Sequence, residues 1–303
     1  MSETKKQILI KLFSLFSVVR GYNIVVIALA QYLSAIFILA PQQRALTTFL
    51  DFNLFVLVIA SSLTIASGYI INSFYDAEKD LINRPNKSML ERIVRQATKL
   101  QVYFGLNFFV FLIAFFVSYR AVLFYSVYIF LIWFYSHKVK KMTIYGNLMA
   151  AFLAVLPFFG ILLYYKNFNE TIYFHATFLF LLILIRELIK DLENQIGDLA
   201  NDYQTIPIVY SEKTSTTVIA VLSTLTVVPV YFLITVIDVG YMDIYFYICF
   251  IVLIFLNLKL AQSTTKIDYL KLHNILKALI LTGVFCIVLI NPKVILNFKN
   301  LFF

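Results

Sequence analysis

The segment NSFYDAEKD at residues 72–80 ends a long apolar run and places Asn72, Asp76 and Asp80 at four-residue steps. Four residues of α-helix rise about 6 Å and return to nearly the same face, so the three side chains form one stripe. A second acidic row, RELIKDLENQIGD at 186–198, spaces Asp191, Asn194 and Asp198 at i, i+3 and i+7 and forms another. A carboxylate on a membrane helix costs roughly 2.5–3.5 kcal/mol at the bilayer centre, so a row of them calls for cations or a water-filled cavity. Hard carboxylate oxygens suit Mg²⁺, which takes one or two carboxylates and completes its shell with water and substrate phosphate oxygens. Two facing stripes could thus hold Mg²⁺ ions with a diphosphate between them. Asp76, Asp80, Asp191 and Asp198 are the candidate metal-binding and catalytic carboxylates, with Asn72 and Asn194 as carbonyl or hydrogen-bonding ligands.

The cations beside these rows fit the same chemistry. Arg84, Lys140, Lys141 and Lys190 are candidates to neutralise a diphosphate, arginine by a forked grip and lysine as a point charge. Arg186 and Glu187 are adjacent and are expected to brace each other and the helix. A charge run after an apolar span is ordinarily a solvated loop; acids recurring at helical spacing in two places, each with bases alongside, argue against that here. Arg92, Arg95, Lys99 and Lys213 are read as topology determinants and lipid-headgroup contacts. His137, His175 and His273 are scattered, and no ligand role is expected of them; Cys249 and Cys286 lie inside apolar spans as packed thiols.

The elements that must position these residues follow from the hydropathy. The chain of 303 residues is 61% hydrophobic and only 14% charged, too apolar for a soluble domain. Its apolar runs are continuous rather than alternating, which argues for membrane helices and against a β-barrel. Nine spans are expected, near 22–39, 54–74, 102–118, 121–136, 146–165, 172–190, 216–237, 244–262 and 275–292, after a short amphipathic piece at 7–19 that lies along the interface. The N-terminus has basic residues and an apolar segment but no small-residue cleavage site, and is read as retained. With a cytoplasmic N-terminus, 20 of the 25 Lys and Arg fall on the cytoplasmic side; Arg44, Arg120, Lys166, Lys293 and Lys299 make up the other side. The net charge of +9 thus reports topology, not nucleic-acid binding. The two longest connections, which follow the acidic rows, are both cytoplasmic. The expected fold is an all-α polytopic membrane bundle of nine transmembrane helices with a cytoplasmic-side polar cavity. It forms one domain over 1–303, in the bacterial inner (cytoplasmic) membrane. A rival reading, an ion-coupled transporter, would place acids near mid-span in Gly/Pro-broken helices; here glycines number 8 and the acids sit at span ends beside bases.

At these residues the chain resembles the UbiA superfamily of intramembrane prenyltransferases. That family's first motif, N-D-x-x-D-x-x-x-D followed by N-R-P, is matched by Asn72, Asp76, Asp80, Asn83, Arg84 and Pro85, with Ser73 in place of the first Asp. Its second, D-x-x-D-x-x-x-D within R-E-x-x-K-D, is matched by Arg186, Glu187, Lys190, Asp191 and Asp198, with Asn194 in place of the middle Asp. YSHKVKKMTIYGN resembles the family's loop through Tyr135, Ser136, Lys140, Lys141, Gly146 and Asn147, and RGYN resembles its R-P-x-N through Arg20 and Asn23. The likeness runs from residue 20 to about 210; the last three spans agree in layout only. The resemblance implies Mg²⁺-dependent transfer of an isoprenyl group from an isoprenyl diphosphate to a lipophilic acceptor within membrane lipids, with Arg20, Asn23 and Tyr135 among the substrate-binding residues. Glu193, Gly197 and the Thr205-Ile206-Pro207 segment look most like the geranylgeranylglycerol-phosphate geranylgeranyltransferase branch. Aromatic quinone precursors of the 4-hydroxybenzoate, homogentisate or naphthoate type are the alternative acceptors, and the sequence leaves the oligomeric state open.

Overall fold

The computed structural model describes residues 3–296. Lys299 and the last residues of the expected domain lie outside it. Among the described residues, nine helices are long and apolar enough to cross a membrane. The first helix, α1 (Glu3–Val18), precedes them. The spans and the two short helices between the second and third are α2 (Gly21–Leu39), α3 (Phe52–Tyr75), α4 (Ala77–Asn83), α5 (Pro85–Glu91), α6 (Gln96–Val117), α7 (Tyr119–His137), α8 (Tyr145–Tyr165), α9 (Glu170–Ala200), α10 (Glu212–Ile237), α11 (Gly240–Leu260) and α12 (Lys266–Ile290). Large apolar side chains such as Phe104, Phe108, Phe115 and Phe116 face outward from the bundle, as a lipid-facing surface requires.

Two departures from the expected spans matter for function. The sixth span does not stop at 190: α9 runs unbroken to Ala200 and carries the whole second acidic row on helix. The second span does stop, at Asp76, whose φ of −92° and ψ of 8° leave the helical region. The i→i−4 bonding nevertheless continues across the break, from Asp76 N to Asn72 O at 2.9 Å and from Asp80 N to Asp76 O at 2.8 Å. The stripe therefore survives the change of helix from α3 to α4.

Association of helices in lipid gains little from the hydrophobic effect, so close packing and interhelical hydrogen bonds carry it. Gln31 on α2 donates to Ser61 on α3 at 3.0 Å and to the Pro157 carbonyl on α8 at 3.1 Å. Tyr125 on α7 lies 3.0 Å from Ser61 and donates to the Leu57 carbonyl at 2.7 Å. Tyr128 ties α7 to α8 through the Leu153 carbonyl at 3.0 Å. The central helix is α9, which packs against α8, α10 and α12 and presents Leu182, Ile185, Leu188, Ile189 and Leu192 to the core. α1 docks through Ser14, whose hydroxyl donates to the Leu90 carbonyl at the end of α5 at 2.7 Å.

Candidate active site

The two acidic rows meet at one end of the bundle, around an open cavity of about 690 Å³. From the first row Asn72, Asp76 and Asp80 line it; from the second, Asp191 and Asn194 do. Arg20, Arg84, Tyr135, Lys140, Lys190 and Glu187 complete much of the wall. Lys140 arrives on the turn between α7 and α8. Its ammonium is 2.6 Å from an Asp76 oxygen and 3.3 Å from the Asn72 carbonyl oxygen. Two local features aim that turn: Ile144 takes a left-handed φ of 64°, and a Cβ at Gly146 would stand 3.1 Å from the Lys140 carbonyl. The same turn delivers Asn147, which donates to Asp191 at 2.7 Å.

Tyr203, beyond the end of α9, donates to Asp76 at 2.5 Å, and Lys79 on α4 pairs with Asp198 while sitting 3.7 Å above the Tyr203 ring. These cross-links join the rows directly. They also set the electrostatics. Burial alone would raise the Asp76 carboxyl, but the Lys140 and Lys79 ammonium groups, with hydrogen bonds from Lys140 and Tyr203, outweigh it and hold the carboxyl below the usual range. Asp80 lacks such a partner: burial, and then the Asp76 charge, push its carboxyl above the usual range against the pull of Arg20 and Arg84. Burial and the neighbouring Asp76 raise the Tyr203 phenol, which keeps it a donor.

Not every expected residue faces the cavity. Asp198 is fully buried behind Lys79 and is not part of the wall. Lys141 turns away: its ammonium donates to the Asn201 carbonyl at 3.3 Å and lies 5.2 Å from the Tyr203 ring. Asn23 donates to the Tyr69 hydroxyl at 3.2 Å and supports the ring over which Arg20 stacks at 5.0 Å. Lys99 is no headgroup contact. It is buried, donating to Ser73 at 3.2 Å beside Glu91, which Lys87 also pairs at 3.3 Å. Ser73 thus looks into this buried ion cluster and not into the cavity. Arg186 and Lys190 both hold Glu187, each at 2.6 Å, so the Arg186–Glu187 brace expected from the sequence is joined by Lys190.

Three residues that bond or pair with the side chains of the acidic rows were not singled out from the sequence. Lys79 had a signal, since it sits within the first motif at i+3 from Asp76. Tyr203 and His273 had none; His273 reaches Glu193 at 2.9 Å from the far end of the sequence.

The oxygen set suits Mg²⁺. Asp76, Asp80 and Asp191 open onto one water-accessible cavity, and the buried Asn194 Oδ1 has no hydrogen-bond partner. Among the described residues no group of three or more His, Cys, Asp or Glu side chains is arranged to hold a metal ion by itself. A second, apolar cavity of about 830 Å³ lies further along the bundle among Ala30, Val155, Phe159, Leu179, Leu182 and Ile280. Along α9, Leu182 precedes Asp191 by about 14 Å of helix rise.

Known proteins share this architecture. The chain is 30% identical over 167 residues to a digeranylgeranylglyceryl phosphate synthase of Metallosphaera sedula, a match that covers 51% of this chain and 55% of that one. The chain thus spans a little over half the length of the first relatives it matches. A longer match, 24% identical over 275 residues, covers 85% of this chain and 92% of the corresponding synthase of Sulfurisphaera tokodaii. Among solved structures, one of a digeranylgeranylglyceryl phosphate synthase overlays 92% of this chain and 98% of its own with a TM-score of 0.70 at 20% identity. A UbiA homolog from Archaeoglobus fulgidus bound to GPP and Mg²⁺ overlays 91% of this chain and 99% of its own, with a TM-score of 0.66 at 11% identity. These named organisms are archaeal, and nothing in them points to the bacterial membrane expected from the sequence. The model of the UbiA prenyltransferase family matches residues 24–291, so it extends through the last three spans that the motifs left unmatched, and this chain belongs to that family.

Proposed function

We propose that this protein transfers an isoprenyl group from an isoprenyl diphosphate to a lipophilic acceptor, and that the acceptor is geranylgeranylglycerol phosphate. The observation that carries the reading is the meeting of the two acidic rows, interleaved with Lys79, Lys140, Lys190 and Arg84, on one cavity beside an apolar one. Both of the first-named relatives are digeranylgeranylglyceryl phosphate synthases, which supports this acceptor over an aromatic quinone precursor.

Asp76, Asp80 and Asp191 would hold Mg²⁺, with Asn72 and Asn194 as neutral oxygen ligands and Asp198 keeping Lys79 in place. Bound Mg²⁺ would supply charge neutralisation to the diphosphate as it leaves. The residues of the chain do the rest. Arg84, Lys140 and Lys190 direct N–H groups at the phosphate oxygens, where charge grows as the C1–O bond breaks. The electron pair leaves with the diphosphate, and the allylic carbocation faces the half-buried Tyr135 ring on the cavity wall, whose π-face stabilises a cation. The acceptor hydroxyl forms the new bond to C1 and passes its proton to the departed diphosphate. The apolar cavity takes the hydrocarbon tail, and the spans keep out water that would otherwise capture the cation. The 20-to-5 distribution of Lys and Arg supports a cytoplasmic N-terminus and a cytoplasmic cavity.

The test is transfer of labelled geranylgeranyl diphosphate in membranes carrying the parent chain, Asp76→Ala or Asp191→Asn, with geranylgeranylglycerol phosphate as acceptor. Both variants and metal chelation should abolish transfer. Undiminished transfer by Asp76→Ala would remove the acidic rows from the chemistry, and transfer to aromatic acids alone would replace the acceptor.

A further inference from the structure

We infer that His273, through Glu193, is the positioning residue that aims Arg84 at the diphosphate. The inference rests on the function proposed above and extends the site to the last span.

Glu193 lies on α9 but does not line the cavity; its side chain is 3% exposed. A carboxylate so placed needs partners on both oxygens. Both come from other elements. One oxygen takes the Arg84 guanidinium at 3.2 Å, and the other accepts from His273 Nδ1 at 2.9 Å. Because each oxygen is engaged, Glu193 is a holder and not a further ligand.

Arg84 sits where α4 gives way to α5, with φ of −142° and ψ of 63°, so helix does not fix its direction. A single amino group of its fork meets Glu193, and its side chain remains 30% exposed on the cavity wall. The remaining N–H donors are free for phosphate oxygens. What fixes the junction is α12. Lys266 donates to the Asn83 carbonyl at 2.8 Å, and His273, two turns further along the same face of α12, holds Glu193. Without His273, Glu193 keeps one partner and can rotate, and Arg84 moves with it.

The experiment measures binding of inorganic pyrophosphate in the presence of Mg²⁺ to the purified full chain in detergent, together with KM and kcat for the isoprenyl diphosphate. His273→Ala should weaken pyrophosphate about tenfold, the weight of one charge-assisted hydrogen bond, and raise KM more than it lowers kcat. His273→Asn, which keeps a donor near Nδ1, should stay within about threefold of the parent. His273→Ala combined with Arg84→Ala should bind no worse than Arg84→Ala alone, because the histidine acts only through the arginine. Lys271→Ala, an exposed change on the same helix, serves as the control. Parent-like binding by His273→Ala, or additive losses in the double variant, overturns the inference while leaving transfer by the parent intact. If His273→Ala fails to fold, His273→Phe, which keeps the ring's bulk but has no donor for Glu193, and its double with Arg84→Ala carry the same comparison. Absence of pyrophosphate binding by the parent removes the underlying function, and this inference with it.

Discussion

Replacing Lys140 by Met tests whether the cavity is built on a buried ion pair that magnesium can substitute. Lys140 is 8% exposed, and its ammonium lies 2.6 Å from Asp76, itself 8% exposed. Removing one partner of a buried pair costs about 3–5 kcal/mol, because the other charge stays behind unpaired. Asp76 retains the Tyr203 hydroxyl at 2.5 Å and the nearby Lys79, so the lower end of that range, about 3 kcal/mol, applies. Removing the carboxylate as well cancels the uncompensated charge. Lys140→Met with Asp76→Asn should therefore cost about 2 kcal/mol less than the two single changes added together. Magnesium alone should raise the melting midpoint of Lys140→Met more than that of the parent, since the ion then meets the carboxylate that the ammonium had occupied. Transfer should fall about a hundredfold in the single variant, the loss of one strong cationic contact to phosphate. Detergent unfolding curves and initial rates measure both effects. Strict additivity of the two changes, or equal magnesium shifts in parent and variant, would refute the reasoning.

Asp80→Asn should separate stability from function. Burial and Asp76 raise the folded-state pKa of Asp80 above its unfolded value of about 3.9, so stability declines as pH climbs from the unfolded pKa through the raised folded one. Without magnesium the variant should melt higher than the parent at pH 7, the difference closing below about pH 4, while transfer is lost. Gly197→Ala should place a Cβ 2.4 Å from the Asn83 side-chain nitrogen and break the 3.2 Å bond from Gly197 N to Asn83. A cost of about 1–3 kcal/mol in unfolding and a raised KM for the diphosphate are expected, since Asn83 adjoins Arg84. Lys99→Met should cost only about 1–2 kcal/mol in the same unfolding assay, the weight of its one hydrogen bond to Ser73, and leave KM near the parent's, because Lys99 turns to Ser73 rather than to the cavity.

The parts of the site that the sequence revealed are those encoded by helical spacing. Asn72, Asp76 and Asp80 share a face because four residues nearly close a turn, and backbone bonding carries that relation even across the break at Asp76. Asp191 and Asn194 could be read the same way. The nine spans were legible because lipid demands a long apolar run for each crossing. Hydropathy could not find the end of α9, since the helix continues past the bilayer's apolar stretch into polar sequence that is helical for reasons of packing.

What stayed hidden was which charge meets which. Lys99 and Lys141 have the same composition signature as Lys140, a lysine beside a span, and yet the three have different fates. Lys140 is drawn into the cavity by Asp76, Lys99 into the protein by Ser73 and Glu91, and Lys141 out onto the Asn201 carbonyl. Their partners Asp76, Ser73 and the Asn201 carbonyl lie 64, 26 and 60 residues away along the chain, so only the closed bundle brings them together. The same holds for Asp198. Its spacing marks it as an equal of Asp191, but Lys79 covers it, and its charge is spent on holding a cation beside Tyr203 and Asp76. The two acidic rows therefore divide the work unequally. On the function proposed above, the carboxylates that open onto the cavity hold the metal and, through it, the phosphate, and the one behind Lys79 keeps the lysine, and through it the first row, in register with the second.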